Sequence, residues 1–150
     1  MSWPASQETL ALRLAEVNTR ALRLRAELQS VVTASQAGSV GRERLIGVWR
    51  TLAYTLSRWQ TIAATPGIEQ YARDQYNDPT LDLAAEFSAM ISAAQGLRSW
   101  LDTNFPRDSG SGAILVFTID EDANLTDLGF TSGQLATFRT QAQSVIDAIG

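Results

Sequence analysis

The sequence predicts a mainly α-helical fold: a bundle of three long, heptad-patterned helices, with a β-hairpin and a C-terminal helix packed on it. Three observations support this prediction. Apolar residues recur at alternating spacings of three and four along three long segments, which places them on one face of a helix. Glycine or proline follows each of these segments. A run of β-branched and aromatic residues over 114–119 then has the composition of a strand.

The first helix is predicted from about residue 6 to residue 36. Ser6 is a suitable N-cap, because its hydroxyl can accept a hydrogen bond from a backbone N–H of the first turn. The apolar stripe consists of Leu10, Leu14, Val17, Ala21, Leu24, Leu28 and Val31. A heptad stripe of this kind is buried against neighbouring helices. Gly38 and Gly41 then predict a loop.

The second helix is predicted from about residue 42 to residue 64, and it forms an antiparallel hairpin with the first. Its apolar stripe consists of Leu45, Trp49, Leu52, Leu56, Trp59 and Ala63. A proline–glycine pair at 66–67 ends it. A short helix is predicted over 67–76. Its inward-facing residues are Ile68, Tyr71 and Ala72.

The third long helix is predicted from Asp78 to about residue 105. Asp78 precedes Pro79, which is the pattern of an N-cap followed by proline at the first helical position. The apolar stripe consists of Leu83, Phe87, Met90, Ala94, Leu97 and Leu101. Pro106 ends the helix, because proline has no backbone N–H to donate to the helical ladder.

Residues 107–150 are predicted to form a β-hairpin and a C-terminal helix, packed on the bundle of residues 1–106 as one cooperative unit. The strands span 114–119 and 125–130, on either side of a polar turn. Both faces of the first strand are largely apolar, so we interpret the hairpin as an assembly element. The last helix begins after Thr131. Its apolar residues are Leu135, Phe138, Ala142, Val145 and Ile149.

The composition excludes several classes of catalytic site. The chain has no Cys and no His, and all 12 of its basic residues are Arg. Cys/His zinc sites, thiolate nucleophiles, His general bases and Lys Schiff bases are therefore excluded within the chain. Residues 120–124 begin like an EF-hand calcium loop, but Leu125 stands where that loop needs glycine, and Thr131 where it needs a bidentate Glu. We expect no enzymatic activity, no cofactor and no metal ion.

Charge is distributed unevenly along the chain, whose net charge is −4. Residues 1–75 carry nine Arg and six acidic residues, whereas residues 76–150 carry three Arg and ten acidic residues. This asymmetry suits head-to-tail self-association, in which the acidic surface of one subunit meets the basic surface of the next. The alternative is that both halves are ordinary solvated faces. The basic half is too dilute in charge for a strong nucleic-acid footprint.

Candidate interface residues are the aromatic side chains outside the predicted stripes, together with the apolar strand. Tryptophan and tyrosine are enriched at protein–protein interfaces, where they contribute a large rigid area. The candidates are Trp3, Tyr54, Tyr71, Tyr76, Ile114, Leu115, Val116, Phe117 and Ile119. Trp3 lies beside Pro4 in an N-terminal arm. We expect this arm either to insert into a neighbouring subunit or to fold over its own bundle.

From residue 93 onward the sequence carries a series of structural signals. They are Arg98, Trp100, Asn104-Phe105-Pro106-Arg107-Asp108, Gly110, the strand to Phe117, Phe130-Thr131, Leu135, Arg139 and Ile146-Asp147. This series resembles a family of small proteins encoded among the virion structural genes of tailed bacteriophages and prophages. The similarity covers about the last third of the chain, and no catalytic residue comes with it.

The resemblance implies a structural virion component, such as a neck or head–tail connector protein, that is assembled in the host cytoplasm. The expected partners are copies of the chain and other virion proteins, namely portal or tail components. No small-molecule substrate, no membrane and no nucleic acid beyond incidental contact in a DNA channel are expected. One alternative is a soluble cytoplasmic binding or assembly-chaperone protein that captures a partner helix. A further alternative is a carboxylate-dependent enzyme.

Overall fold

The computed structural model describes residues 6–36, 42–104 and 132–150. Within these ranges the chain forms five α-helices and no strand. The helices are α1 (Gln7–Gln36), α2 (Arg42–Ala63), α3 (Ile68–Gln75), α4 (Leu83–Asn104) and α5 (Ser132–Ile149). The predicted hairpin strands and the calcium-like turn fall outside the described residues.

The four long helices form a bundle in which each helix packs on two neighbours, in the order α1, α2, α4, α5 and back to α1. Neighbouring helices run antiparallel. Arg58, late in α2, pairs with Glu16, early in α1. Trp49, early in α2, donates a hydrogen bond to Asp102, late in α4. The topology is therefore up-down-up-down, and α3 lies at one end, in contact with both α1 and α4.

The predicted three-helix bundle is wrong, because the described residues form a four-helix bundle. They contain no strand, and the residues of the predicted β-hairpin lie outside them. Helix α5 is the fourth member of the bundle and packs on both α1 and α4. Its Phe138 is fully buried, with the ring centroid 6.1 Å from that of Trp100 on α4. The apolar residues of α5 recur at spacings of 3, 4, 3 and 4 from Leu135 to Ile149. This heptad pattern is the signal that the prediction overlooked.

The prediction for α1 is confirmed residue by residue, since all seven members of the stripe are buried. Ser6 caps the helix: the backbone N–H of Thr9 donates to its hydroxyl oxygen at 3.1 Å. The short helix α3 is confirmed as well. Its Ile68 and Ala72 are buried, and Tyr71 is half-buried. Regular apolar spacing is thus a sufficient guide to the inward faces of these two helices.

Helix α4 begins at Leu83, and Asp78 is not its N-cap. Asp78 Oδ1 instead accepts a hydrogen bond from the backbone N–H of Thr80 at 3.1 Å, in the turn between α3 and α4. The N-cap is Asp82, whose Oδ1 accepts a hydrogen bond from the backbone N–H of Ala85 at 3.0 Å. An Asp can close a turn on its own backbone or cap a helix with the same side chain, and Asp78 does the former.

Helix α2 buries a wider face than its predicted stripe. Within the stripe, Trp49 is only half-buried and Ala63 is exposed. Additional buried residues are Ile46, Val48, Thr55 and Ile62. Because α2 contacts both α1 and α4, two flanks of the helix are covered instead of one narrow stripe.

Candidate functional site

Within the described residues, helix α5 is shorter than α1 and lies beside only the C-terminal half of it. With 30 and 18 residues, α1 and α5 are about 45 Å and 27 Å long. Arg139 of α5 lies beside the carbonyl oxygen of Ser35, near the end of α1. Gly150, which follows α5, accepts a hydrogen bond from Arg25, in the middle of α1. The N-terminal half of α1 therefore has no α5 beside it.

A groove lies between α1 and α4, next to Ile149 and Gly150 at the end of α5, and we name it the α1–α4 groove. Its volume is about 390 Å³. The floor consists of Leu14, Val17 and Ala21 from α1, with Leu83 and Phe87 from α4. The rim includes Leu22, Arg25, Glu86, Met90 and Ile149. The groove thus has an apolar floor, and its rim carries one carboxylate and one guanidinium.

Polar contacts mark the two ends of the α1–α4 groove. At one end, Asn18 Nδ2 donates a hydrogen bond to the Tyr76 hydroxyl oxygen at 3.2 Å. At the other end, the Arg25 guanidinium donates to the carbonyl oxygen of Gly150, where a cation complements the negative end of the α5 dipole. The groove therefore extends along twelve residues of α1, from Leu14 to Arg25.

Burial along α1 shows that the groove leaves part of the core accessible. The three stripe residues between positions 24 and 31, in the half that α5 covers, have no exposed surface. The three that form the groove floor, between positions 14 and 21, keep 6–8% of their surface exposed. On the rim, Leu22 is 52% exposed and Tyr76 is 54% exposed. Two of the large apolar side chains that the described bundle exposes therefore lie at this groove.

The predicted interface residues do not come together at one site. Tyr76 lines the α1–α4 groove, whereas Tyr54 lies on a different face, between α1 and α2. Tyr71 is half-buried and packs against the core of its own chain. Core packing therefore explains why an aromatic side chain stands at this position. The other candidates lie outside the described residues: Trp3, Ile114, Leu115, Val116, Phe117 and Ile119. Sequence reasoning missed Glu86 and Met90, which belong to the groove.

The surface between α1 and α2 is positively charged. Arg20, Arg23 and Arg50 line a cleft of about 400 Å³ together with Tyr54 and one carboxylate, that of Glu27. The Arg20 guanidinium lies 4.3 Å from the centre of the Tyr54 ring, a cation–π contact. Arg23 and Arg50 form no ion pair with another residue of the described ranges. Their charge is therefore available to a partner.

Charge is segregated between two parts of the described bundle. Helices α1 and α2 carry eight Arg and four acidic residues, a net charge of +4. The described residues after α2 carry three Arg and seven acidic residues, a net charge of −4. The uneven distribution along the sequence thus becomes an uneven distribution in space, because α1 and α2 are neighbours in the bundle.

Glu16 links α1 to α2 on the basic surface. Its carboxylate accepts hydrogen bonds from Arg58 Nε at 2.9 and 3.2 Å, and it lies 3.6 Å from the Arg20 guanidinium. Partial burial raises the pKa of Glu16, but the hydrogen bond and charge of Arg58, together with Arg20, lower it by more. The pKa of Glu16 therefore lies below its ordinary value.

The substitution Glu16→Gln is expected to lower the Tm near neutral pH but not in acid. Because the pKa of Glu16 is lower in the folded than in the unfolded state, its charge stabilises the fold above the unfolded value of 4.5. That contribution is lost as the pH falls through the folded pKa. Thermal unfolding of wild type and variant should differ at about pH 7 and converge as the pH falls below the folded pKa of Glu16. A difference in Tm that persists in acid would show that the loss is not electrostatic.

Comparison with protein-family models, curated proteins and solved structures finds no match to this chain. In the described ranges, Asp and Glu form no cluster of three that could hold a metal ion. None of the five helices is long and apolar enough to cross a membrane. The α1–α4 groove is the feature with a clear chemical preference, since an apolar floor with a few polar rim groups suits the binding of an apolar side chain.

Proposed function

We propose that this protein is a non-enzymatic structural subunit of a tailed-bacteriophage virion, and that it works as a homo-oligomeric neck or head–tail connector component. The observation that carries the proposal is the α1–α4 groove, a depression with an apolar floor between two helices of the described bundle. An exposed apolar depression with a polar rim is typical of a protein–protein contact. The virion as the setting rests on the resemblance of the last third of the sequence.

The segregation of charge supports a head-to-tail arrangement of copies. The α1–α2 surface has an excess of four positive charges, and the remaining described residues have an excess of four negative charges. A copy that presents its basic surface to the acidic surface of the next uses two different patches. Such a heterologous contact closes into a ring when the rotation between copies permits it. Opposite potentials also fix the orientation of the partners and speed their encounter.

A second candidate is a binding or assembly-chaperone protein that captures a partner helix, and the shape of the groove favours it. The groove extends along twelve residues of α1, from Leu14 to Arg25. This corresponds to about 17 Å, or about three turns of a helix. The two candidates differ in what covers the groove, which is another copy in the first and a separate client in the second.

The mass of the purified chain in solution tests the proposal. Sedimentation over a range of concentrations is expected to show a discrete oligomer at low salt, and its dissociation constant should rise with ionic strength as surface charges are screened. The double substitution Arg23→Glu and Arg50→Glu is expected to raise the dissociation constant by at least about tenfold, because like charges then face each other. Arg23→Lys with Arg50→Lys is the matched control and should keep the oligomer.

Two results would overturn the proposal. A chain that stays monomeric at every concentration in low salt would exclude the homo-oligomer and leave the client-binding candidate. Mass spectrometry of purified phage particles tests the setting independently. Particles from a strain that produces the protein should contain it in many copies, and its absence from them would exclude a structural role in the virion.

A further inference from the structure

From the reach of the chain and the chemistry of the α1–α4 groove, we infer that the groove binds the N-terminal arm of a second copy, with Trp3 as the anchor. The arm is residues 1–5, which precede the N-cap Ser6. The inference rests on the proposed function, since it names the contact through which copies of the chain associate.

The reach of the arm leaves the Leu22–Met90 end of the groove to the arm of a neighbour. Leu22, on the groove rim, is sixteen residues from Ser6 along α1. At 1.5 Å per residue this is about 24 Å. Three extended residues span at most about 11 Å, so Trp3 falls far short of Leu22 and Met90 in its own chain, even with the length of an indole. The arm of a second copy has no such limit.

The groove offers the contacts that a tryptophan side chain uses. An aromatic side chain buries about 150–250 Å², and at the Leu22–Met90 end the groove floor presents Ala21 and Phe87 to its ring. The thioether of Met90, on the rim, makes favourable contacts with aromatic rings. Glu86 provides the carboxylate that can accept a hydrogen bond from the indole N–H. The ring and its single donor would both find partners.

The bundle already holds one tryptophan by the same combination of contacts. Trp49 is half-buried, and its Nε1–H donates to the Asp102 carboxylate across the α2–α4 contact at 3.0 Å. Asp102 lies near the last turn of α4, and Glu86 near its first turn. The α1–α4 groove thus repeats, at the opposite end of α4, an apolar cleft between helices with one carboxylate at its edge.

The arm has the composition of a short anchor. Its five residues include no charged side chain that would have to be desolvated on binding. Pro4 fixes its own φ and restricts Trp3 before it, which limits the conformational entropy lost when the arm is ordered. Large aromatic side chains that fill a pocket at the centre of a contact carry much of the binding energy.

Disulfide trapping between two variants tests the inference. Because the natural chain has no Cys, Ser2→Cys in one preparation and Leu22→Cys in another provide the only thiols in a mixture. Mild oxidation is expected to give a linked dimer that contains one chain of each variant. Leu12→Cys is the matched control, since Leu12 is exposed on the same helix but lies outside the groove. Its mixture with Ser2→Cys should yield at least tenfold less linked dimer, and equal yields would overturn the inference.

The substitution Trp3→Ala separates failure of this inference from failure of the proposed function. It is expected to raise the dissociation constant of the oligomer at least tenfold with unchanged helical circular dichroism, while Trp3→Phe retains most of the association. An oligomer that Trp3→Ala leaves unchanged would refute the inference and leave the proposed function standing. A wild-type chain that never associates would refute both. An intrachain disulfide in the double variant Ser2→Cys/Leu22→Cys, without linked dimer, would refute binding between copies.

Discussion

Replacing Phe138 by alanine is expected to lower the free energy of unfolding by about 3–5 kcal/mol. Phe138 has no exposed surface, and its ring packs against Trp100 of α4. Its removal leaves a cavity at the contact between α4 and α5, in addition to the lost transfer free energy of the ring. Because domains are typically stable by only about 5–15 kcal/mol, the variant loses a large share of its stability.

Chemical denaturation followed by circular dichroism and by tryptophan fluorescence measures this effect. Thr137→Ala is the matched control, because Thr137 is the exposed neighbour of Phe138 on the same helix. It is expected to change the free energy of unfolding by less than about 0.5 kcal/mol. The two probes should report a single transition in both variants. A separate early transition of α5, or a loss below about 1 kcal/mol for Phe138→Ala, would contradict its place as the fourth bundle helix.

The inward face of α1 could be predicted from sequence because apolar spacing reports burial directly. The partner of that face could not, since the spacing shows that a stripe is covered but not by which element. The last helix carries the same spacing from Leu135 to Ile149. The prediction nevertheless grouped α5 with the strand-like run over 114–119, and placed both on the outside of a three-helix bundle. A matched heptad period is a better guide to bundle membership than position in the chain.

The α1–α4 groove could not be predicted, because it depends on the level at which one helix ends beside another. Leu12 and Leu22 both lie off the α1 stripe in sequence, and both are exposed. Only Leu22 lines the groove, beside Arg25 and Gly150. Tyr76 does stand out in the sequence as an aromatic residue outside the stripes, but its place on the rim follows from the turn after α3.

Leu22→Arg is expected to raise the dissociation constant of the oligomer by about 100-fold or more, whereas Leu12→Arg leaves it within about threefold of wild type. Loss of an important apolar residue from a contact costs about 2–4 kcal/mol, and tenfold in affinity corresponds to about 1.4 kcal/mol. The new guanidinium would also stand at the rim beside Arg25, where it would have to be desolvated without a carboxylate of its own.

The comparison of these two variants is informative because their effects on folding should be equal and small. Leu22 and Leu12 are 52% and 66% exposed on the same helix, so neither substitution buries a charge in the monomer, and both variants should keep the wild-type Tm. Sedimentation equilibrium of both variants measures the difference in association. Equal association would exclude the α1–α4 groove as the contact between copies. Loss of association in Leu12→Arg alone would place that contact outside the groove, because Leu12 does not line it.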